Sequence, residues 1–468
     1  MAAKKKSAHE KLNEKVALKN EPLWLKWSTA ERNKAMTFAE GYKKFMKVSK
    51  TERLVVENVV SELKKAGFKD MTKTKSLKTG DKVYRVVKNK SVFAFIVGKD
   101  KNALQIVGSH ADSPRLDLKP HPLYEDSGFA LLQSHYYGGI KKYHWVNTPL
   151  AIHGVAYTKK GKKVEVHIGD KPNDPVFIIP DLLPHLAQTQ MERKATKIIE
   201  GEELNIIVGH IPVNDKKIHD KVKHTVMEYL HKEYGLIEED FTVAELEMVP
   251  AGNPVDIGFD RGLVGAYGQD DKVCVYTSLH ALLGVRSPTH TAVGMWVDKE
   301  EIGSVGNTGA ASLILENVAT EYAQKAGLKI PVSKLLDDSK ALSADVTAGQ
   351  DPTFKDVNDP LNVSYLGHGV SIEKYGGGGG KYSTNDASAE YMQELRMLAD
   401  KNKLVWQTGE LGKIDIGGGG TIAMYMSRYG MECVDCGPCI LGMHAPMEVT
   451  SKADIYSAYL FYKAFFHN

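Results

Sequence analysis

The apolar positions of this chain alternate between helical spacing and short continuous runs. Ser49 and Glu52 have the spacing of a capping box, and the valines that follow keep helical spacing as far as Gly67. Residues 92–97 and 104–107 are predicted to be buried strands. Beyond residue 253 the pattern predicts helix 271–284, strand 292–297, helix 308–327, strand 341–344, helix 386–402, a helix from about 420, strand 431–435 and helix 452–466. This order predicts an α/β domain.

The pattern changes between residues 115 and 252. Tyr, His, Pro and Gly are frequent there, and runs such as Val164–Ile168 alternate apolar and polar residues with the period of a strand. A single helix is predicted, over residues 216–234. We therefore predict that residues 115–252 form a separate, β-rich domain inserted between the two parts of the α/β domain, 1–114 and 253–468.

The composition is that of a globular protein with two or three domains. The chain has 468 residues, of which 42% are hydrophobic and 25% charged, and no apolar run approaches the ~20 residues of a membrane span. The formal net charge of +3 gives no reason to expect nucleic acid or a membrane as a partner. Residues 1–35 are predicted to be irregular or a helical arm. Their basic start lacks the apolar core of a signal peptide, so we expect a cytoplasmic protein.

Three of the four cysteines lie in a Cys-x-x-Cys-x-x-Cys sequence. These residues, Cys433, Cys436 and Cys439, are similar to part of an iron–sulfur or zinc site, but a fourth thiolate is missing nearby and Cys274 is distant in sequence. Free cysteines are commonly buried as small apolar residues. We expect that role here, with a metal cluster as the alternative.

Two glycine-rich runs, Gly376–Gly380 and Gly417–Gly420, raise the question of a phosphate-binding loop. Neither is followed by Lys-Ser/Thr, and neither has the strand–GxGxxG–helix arrangement. The second run precedes a predicted helix and is predicted to form an anion or oxyanion cradle. The first is predicted to be a flexible active-site loop.

The predicted strand at residues 292–297 ends in the charged run Asp298-Lys-Glu-Glu301. Two adjacent carboxylates at the end of a buried strand cost free energy unless a positive group lies beside them. Both can serve one site only where the backbone bends, which Gly303 allows. Metal-assisted hydrolysis needs such a pair, one carboxylate to bind the ion and one as general base. A solvated turn is the alternative that this run alone leaves open.

Metal-ligand residue types stand in four further stretches, each next to a predicted strand or apolar run. They are His110-Ala-Asp112, Gly268-Gln-Asp-Asp271, Ser343-Ala-Asp345 and Gly442-Met-His444. Because open α/β sheets place their sites at the carboxyl ends of strands, the five stretches together predict a two-zinc site with nitrogen and oxygen ligands. Asp112 is placed to accept from the ring N–H of His110. Metals ~3.5–4 Å apart need a bridging carboxylate, which one of Asp270 and Asp271 would supply.

These motifs resemble those of the aspartyl-aminopeptidase family of dinuclear zinc metallopeptidases, most closely its bacterial members. The matching sequences are Gly108-Ser-His-Ala-Asp-Ser-Pro-Arg115, Gly265-Ala-Tyr-Gly-Gln-Asp-Asp-Lys272, Asp298-Lys-Glu-Glu-Ile-Gly-Ser304, Ser343-Ala-Asp345 and Gly442-Met-His444, and the resemblance covers residues 35–468. It implies an α/β zinc-aminopeptidase catalytic domain, with a mixed sheet flanked by helices and an inserted lid or dimerisation domain. It also implies a homo-oligomer, a dodecamer built from dimers, that admits short peptides with a free N-terminus.

The resemblance assigns a role to each motif residue. It implies two zinc ions per chain, for which cobalt or manganese can substitute, held by His110, Asp270, Glu301, Asp345 and His444. Asp270 is favoured over Asp271 as the bridge, and the peptide bond between them is expected to be cis. Glu300 and Asp112 are the implied catalytic residues. Glu300 is the general base, and Asp112 is the partner of His110.

Three more residues match the family as substrate contacts. Leu183-Pro-His-Leu-Ala187 resembles a lid element whose histidine reaches the active site of a neighbouring subunit, so His185 is expected to be a substrate contact, a metal-associated residue or a structural histidine. Lys374 and Tyr382 stand where the family has a Lys and a Tyr near the substrate. The glycine run between them and Trp145-Val-Asn-Thr depart from the family pattern, which leaves the preferred N-terminal residue open, acidic or otherwise.

The predicted function is a metalloaminopeptidase, a hydrolase that releases N-terminal amino acids from short peptides with Glu300 as the base. A two-zinc deacylase or carboxypeptidase on the same fold is the nearest alternative, and substrates with free or acylated amines would distinguish the two. An inactive assembly or cargo protein is the alternative from another class. It would require lost metal ligands, whereas every ligand position is filled.

Overall fold

The computed structural model describes residues 6–18 and 20–468. The helices are α1 (Ala8–Val16), α2 (Leu23–Lys26), α3 (Thr29–Val48), α4 (Glu52–Lys65), α5 (Gln188–Met191), α6 (Lys221–Tyr234), α7 (Gln269–Leu283), α8 (Ile314–Ala326), α9 (Val332–Asp337), α10 (Ala389–Asn402), α11 (Ala423–Ser427) and α12 (Lys452–His467). The strands are β1 (Lys69–Asp70), β2 (Lys82–Val87), β3 (Ser91–Ile96), β4 (Asp100–His110), β5 (Arg115–Asp126), β6 (Phe129–Tyr137), β7 (Leu150–Tyr157), β8 (Lys163–Ile168), β9 (Asn205–Gly209), β10 (Glu245–Pro250), β11 (Val255–Ile257), β12 (Leu263–Ala266), β13 (His290–Val297), β14 (Lys340–Ser343), β15 (Thr347–Ala348), β16 (Val370–Glu373), β17 (Trp406–Thr408), β18 (Glu432–Gly437), β19 (Cys439–Leu441) and β20 (Glu448–Ser451). Within these described ranges, no helix is both long and apolar enough to cross a membrane.

A nine-stranded mixed sheet forms the centre of the molecule, in the order β1-β2-β3-β13-β4-β14-β18-β16-β17. One apolar cluster packs on one face and includes Val59 of α4, Leu279 of α7 and Phe461 of α12. A second cluster covers the other face and includes Leu315 of α8 and Met426 of α11. Two helical layers thus bury both faces of the sheet, and the predicted α/β fold is confirmed.

Three neighbouring strands of this sheet run parallel and end close together. β13 pairs with β4 so that Val297 is level with His110, and β14 pairs with β4 so that Ser343 is level with Gly108. The last seven residues of β4 are all buried, as expected for a strand covered on both faces. The register therefore brings the motif residues that follow these strands to one edge of the sheet.

A separate six-stranded antiparallel sheet, in the order β8-β7-β10-β5-β6-β9, lies wholly within residues 115–250. The alternation predicted for residues 164–168 is present in β8, where buried and exposed residues alternate. This sheet has its own apolar cluster, which includes Leu132 and Met248 and which Val222 of α6 joins. The third sheet is small, with the order β11-β12-β20-β19-β15.

The start of helix α4 differs from the prediction. Its N-cap is Thr51, whose hydroxyl accepts from the backbone N–H of Leu54. The Ser49 hydroxyl instead accepts from the Asn58 amide, 3.2 Å away, and Glu52 is buried 3.0 Å from the Lys90 ammonium. The predicted capping box is therefore wrong, because both of its members have partners elsewhere.

Two other helices begin later than predicted. The helix predicted from residue 216 begins at Lys221, and the helix predicted from residue 308 begins at Ile314. In the second case the preceding residues form a loop closed by a hydrogen bond from the Ala311 N–H to the Ser304 carbonyl. A side chain at Gly309 would lie 2.1 Å from that carbonyl oxygen, so glycine allows this loop to close.

The expectation for residues 1–35 holds in part. Residues 1–5 and 19 lie outside the described residues. Helix α1 buries none of its side chains, as expected of a helical arm. Helix α3, however, begins at Thr29 with a capping box between Ser28 and Glu31, and it buries Tyr42 and Phe45. The predicted irregular arm is therefore wrong from Thr29 onwards.

The cysteines are core residues. All four are buried and free. Cys433 belongs to the apolar cluster on one face of the central sheet, and Cys436 to the cluster on the other face. Because alternate residues of β18 point to opposite faces, these two thiols cannot bind one cluster. The iron–sulfur alternative is therefore wrong.

Candidate metal centre

His110, the last residue of β4, is 1% exposed, and its Nδ1 faces Asp112. Nδ1 lies 3.1 Å from the backbone carbonyl of Asp112 and 3.3 Å from its Oδ1. The Asp112 carboxylate also accepts hydrogen bonds from the backbone N–H groups of Glu300 and Glu301, each 3.2 Å long. Asp112 therefore orients the histidine and both glutamates of the predicted site, and Nε2 of His110 is left to face the carboxylates of Asp270, Glu300 and Asp345.

Asp270 lies between the two predicted metal-binding histidines. Its Oδ1 is 3.0 Å from Nε2 of His110, and its Oδ2 is 3.2 Å from Nε2 of His444. Asp271 is not placed between the two histidines: one of its oxygens accepts from the backbone N–H of His110 at 3.2 Å, and its carboxylate lies on the side of Asp345. The peptide bond between Asp270 and Asp271 is cis, as expected from the family resemblance.

Glu300 and Glu301 lie in a single turn of 3₁₀ helix that follows β13. Lys299 before the turn and Gly303 after it have positive φ, 72° and 85°. The turn brings both carboxylates to one side of the backbone. Glu300 Oε2 lies 3.9 Å from Nε2 of His110, and Glu301 Oε2 lies 3.3 Å from Nε2 of His444.

Asp345 follows β14 and completes the group. Its Oδ1 is 3.8 Å from Nε2 of His110. Two sets of three potential ligand atoms lie within 4.8 Å of one another, His110 with Asp270 and Glu301, and His110 with Asp271 and Asp345. The structure thus brings together all five predicted metal ligands together with Glu300 and Asp112.

Several atoms of this group are buried without hydrogen bonds. Among the described residues, His110 Nε2, Asp270 Oδ1 and Glu301 Oε1 have no hydrogen-bond partner. Burial raises the pKa of Glu300 well above its usual range, and the carboxylates of Asp345 and Asp270 raise it further against the opposing charge of His110. Buried, mutually repelling carboxylates are stable where a cation binds them. The mixed imidazole and carboxylate donors fit zinc.

The six-stranded sheet contributes two contacts that the sequence did not suggest. Tyr137, at the end of β6, donates its hydroxyl to Asp112 Oδ2 at 2.8 Å. Two residues later, the backbone carbonyl of Gly139 accepts a hydrogen bond from Nδ1 of His444 at 2.7 Å. Each contact orients a residue of the metal centre. No spacing pattern connects Tyr137 or Gly139 with these partners, so the signal is absent from the sequence.

Glu448 is a third residue that the sequence did not suggest. It accepts from the backbone N–H of His444 at 2.7 Å and of Asp270 at 3.0 Å. His444 has a positive φ of 65°, and these contacts hold its backbone in place. Burial raises the pKa of Glu448 to about 8, and the charge of Asp270 adds to the rise.

A cavity of about 580 Å³ opens beside these side chains. Both glycine runs form part of its wall. They pack backbone against backbone, since the Gly377 N–H donates to the Gly419 carbonyl at 2.7 Å and a side chain at Gly418 would lie 1.7 Å from the Gly377 oxygen. The N–H groups of Gly417 and Gly418 donate to carbonyls within the chain. These two N–H groups therefore cannot contribute to the predicted anion cradle.

The predicted substrate contacts lie apart from this cavity. His185 is exposed in a turn of the 115–252 segment. Lys374 is half exposed, with its ammonium 3.9 Å from Asp386, and Tyr382 is 76% exposed. Their neighbours Glu373 and Ser383 line the cavity instead. The roles of His185, Lys374 and Tyr382 stay predictions.

The family model of the aminopeptidase I zinc metalloproteases (M18) matches residues 45–466. The chain belongs to this family. It is 46% identical to a probable M18 family aminopeptidase 1 of Borrelia garinii subsp. bavariensis, over 96% of this chain and 100% of that protein.

Solved structures of M18 aminopeptidases have the same fold. The crystal structure from Thermotoga maritima has a TM-score of 0.92 and 42% identity, over 96% of this chain and 99% of that one. The crystal structure of aminopeptidase I from Clostridium acetobutylicum has a TM-score of 0.91 and 43% identity, over 97% and 100%. The predicted enzyme class, a zinc-dependent aminopeptidase, and the resemblance to bacterial family members are therefore confirmed.

Proposed function

We propose that this M18 aminopeptidase releases N-terminal amino acids from short peptides, using two zinc ions that His110, Asp270, Glu301, Asp345 and His444 would hold. The observation that carries the proposal is the position of the Asp270 carboxylate, whose two oxygens face Nε2 of two different histidines at 3.0 and 3.2 Å. One ion is assigned to the side of His110 and Asp345, and the other to the side of Glu301 and His444. Zinc supplies Lewis acidity to the scissile carbonyl and to the attacking water.

Glu300 is proposed as the general base. Its carboxylate belongs to neither compact set of potential ligand atoms, yet it lies 3.9 Å from His110. Burial and the neighbouring carboxylates raise its pKa, which strengthens it as a proton acceptor. It takes a proton from water and passes it to the leaving amine. Asp112, which accepts the backbone N–H of Glu300, holds the base in position.

We further propose that residues 115–252 form an inserted lid and dimerisation domain within a homo-oligomer, a dodecamer built from dimers. The mApe1 dodecamer of S. cerevisiae has the same fold, with a TM-score of 0.75 at 22% identity over 93% of this chain and 97% of that one. Three leucines around His185, namely Leu182, Leu183 and Leu186, are 52%, 50% and 69% exposed. Exposed apolar side chains of this kind favour a subunit contact. We expect the protein to act in the cytoplasm, without nucleic acid or membrane partners.

The proposal is tested by measuring zinc content and substrate hydrolysis on the metal-reconstituted enzyme. We expect two zinc ions per chain, hydrolysis of aminoacyl chromogenic substrates, and no hydrolysis of the same substrates after N-acetylation, since a deacylase would show the reverse preference. Glu300→Gln is expected to keep both ions and to lose roughly 10²–10⁴-fold in turnover. Asp270→Asn serves as the contrast, because it removes the proposed bridge and should lower zinc content. Normal zinc content in Asp270→Asn, or zinc loss in Glu300→Gln, would contradict the assignment.

A further inference from the structure

The cavity carries one buried carboxylate that the proposed mechanism does not use. Glu373 is the last residue of β16; it is 8% exposed and lines the cavity. Thr347 donates a hydrogen bond to its Oε1. Among the described residues, no hydrogen bond to Oε2 is found, and this oxygen is not one of the fully buried atoms without a partner, so it is open to the cavity. A carboxylate that is nine-tenths buried and half satisfied is suited to a donor supplied by a ligand.

The charges around Glu373 are negative. Burial raises its pKa to about 8, the hydrogen bond from Thr347 opposes the rise, and the carboxylates of Asp435 and Asp345 add to it. The described residues that line the cavity include no Lys or Arg, but they do include the carboxylates of Asp270, Glu300, Glu301, Asp345 and Glu373. The proposed zinc ions would neutralise the carboxylates that bind them, which leaves Glu373 and the base Glu300 as the cavity carboxylates without a cation. A cationic ligand would pair with Glu373, whereas an anionic ligand would be repelled by it.

The nearest lysines along the chain do not neutralise Glu373. Lys374 is turned towards Asp386, 3.9 Å away. Lys381 lies 3.0 Å from the same carboxylate and 3.8 Å from the centre of the Tyr375 ring. The Lys374 ammonium therefore lies near Asp386, and its predicted role as a substrate contact stays a prediction.

Glu373 lies at a distance from the metal centre that the end of a long substrate side chain can span. Glu373 is level with Asp435 across one strand pair, and Asp435 is level with Ser343 across the next. Two strand spacings place the backbone of Glu373 roughly 10 Å from that of Ser343, which lies two residues before the candidate ligand Asp345. The α-amine of a substrate is attached to the carbon next to the scissile carbonyl and must stay close to the metal centre. The ammonium of an N-terminal lysine lies about 6 Å further along its side chain, by bond lengths.

Glycines leave room for such a side chain. The wall of the cavity that holds Glu373 and the metal ligands includes Gly376, Gly419 and Gly420. At Gly419 an added Cβ would meet no atom within 4 Å, so the cavity is open at this position. An extended aliphatic stem can therefore pass over these glycines without meeting a Cβ.

From these observations we propose that Glu373 receives the ammonium or guanidinium of a lysine or arginine at the peptide's N-terminus. The enzyme then prefers basic over acidic N-terminal residues. This inference rests on the proposed aminopeptidase function of the same site. It differs from the acidic preference that the resemblance to aspartyl aminopeptidases would suggest.

Lysyl, norleucyl and glutamyl chromogenic substrates test the proposal on the zinc-loaded enzyme. Lysine and norleucine differ by the terminal ammonium, so the ratio of their kcat/KM values isolates the contribution of the charge. Assays above pH 8 keep the Glu373 carboxylate ionised. We expect the order lysyl, norleucyl, glutamyl. Glu373→Gln should lower the lysyl-to-norleucyl ratio by about 10–100-fold, the scale of a hydrogen bond to a charged group.

A matched control is Asp435→Asn, which neutralises the cross-strand neighbour of Glu373. Asp435 is also buried and accepts from Thr421 at 2.6 Å, but it does not line the cavity. In this variant the ratio of kcat/KM for the lysyl substrate to kcat/KM for the norleucyl substrate should stay close to that of the unmodified enzyme. An equal loss for both substrates in Glu373→Gln, or a wild-type preference for norleucyl or glutamyl substrates, would overturn the proposal.

Calorimetry with free L-lysine and L-norleucine separates this proposal from the proposed function. If the zinc-loaded enzyme hydrolyses none of the three substrates, the aminopeptidase proposal fails, but the two amino acids still test the carboxylate. Tighter binding of lysine that is lost in Glu373→Gln supports the role of Glu373. Equal binding of the two amino acids refutes it.

Discussion

Tyr137→Phe is the substitution that most directly tests how the metal centre is held. The Tyr137 hydroxyl donates to Asp112 Oδ2 at 2.8 Å, and the same oxygen accepts from the Glu301 N–H at 3.2 Å. The ring is buried, and the guanidinium of Arg115 lies 3.9 Å from its centre. Phenylalanine keeps the ring and its contact with Arg115, so the change removes one donor and little else.

The size of the effect follows from the charge of the acceptor. A hydrogen bond to a charged group contributes about 1.5–3 kcal/mol, and ~1.4 kcal/mol corresponds to a factor of ten. Asp112 keeps its longer contacts with two backbone N–H groups. We therefore expect kcat/KM to fall by about 10–100-fold, because the carboxylate that orients His110 and both glutamates is less well fixed.

The assay compares Tyr137→Phe with Tyr267→Phe. Tyr267 donates its hydroxyl to the neutral carbonyl of Pro114 at 2.9 Å and also lies near the motif that follows β4. Zinc titration at fixed enzyme concentration, kcat/KM and thermal unfolding are measured for both variants. We expect a weaker zinc affinity and a larger kinetic loss for Tyr137→Phe at similar unfolding temperatures. Equal kinetic losses in the two variants, or unchanged zinc affinity and turnover in Tyr137→Phe, would refute a positioning role for Tyr137.

Three further outcomes are expected. Cys436→Ser should leave the zinc content unchanged, because Cys433 and Cys436 face opposite sides of the sheet; a loss of metal measured by mass spectrometry would contradict this. Chelation of the metal should abolish hydrolysis and lower the unfolding temperature, since bound ions neutralise buried carboxylates, and zinc should restore both; a chelated enzyme with full activity would exclude metal catalysis. His185→Ala should keep oligomer mass and zinc content but lose roughly 10²–10³-fold in kcat. Hybrids with Glu300→Gln should regain activity if His185 acts across subunits, and hybrids without recovery would exclude that role.

The proximity of the candidate ligands could be predicted because each of them stands near the end of an apolar run. β4, β13 and β14 are parallel neighbours, so His110, Glu301 and Asp345 meet at one edge whatever the details of packing. The alternation in β8 predicted a strand in the same way. Such patterns are local, and the pairing of parallel strands brings the residues at their carboxyl ends close together.

Contacts between distant segments could not be predicted. Gly139 and His444 are separated by 305 residues, and a backbone carbonyl has no sequence signature. Ser49 has the spacing of a helix cap, but its hydroxyl accepts from the Asn58 amide in the helix itself. The first partner is set by tertiary packing and the second by competition among local side-chain hydrogen bonds, and residue spacing encodes neither.

The metal centre lies where the central sheet and the six-stranded sheet are joined. His110 ends β4 of the central sheet and Arg115 begins β5 of the six-stranded sheet, so the motif that contains Asp112 is also the connection between them. Arg115 lies 3.5 Å from Glu52 of α4 and 3.5 Å from Glu247 of β10, both buried, which ties the two sheets together at this point. Tyr137, which orients Asp112, ends β6 of the same six-stranded sheet, and Gly139, which orients His444, follows that strand by two residues. A displacement of this segment relative to the central sheet would therefore change the hydrogen bonds on both sides of the metal centre at once.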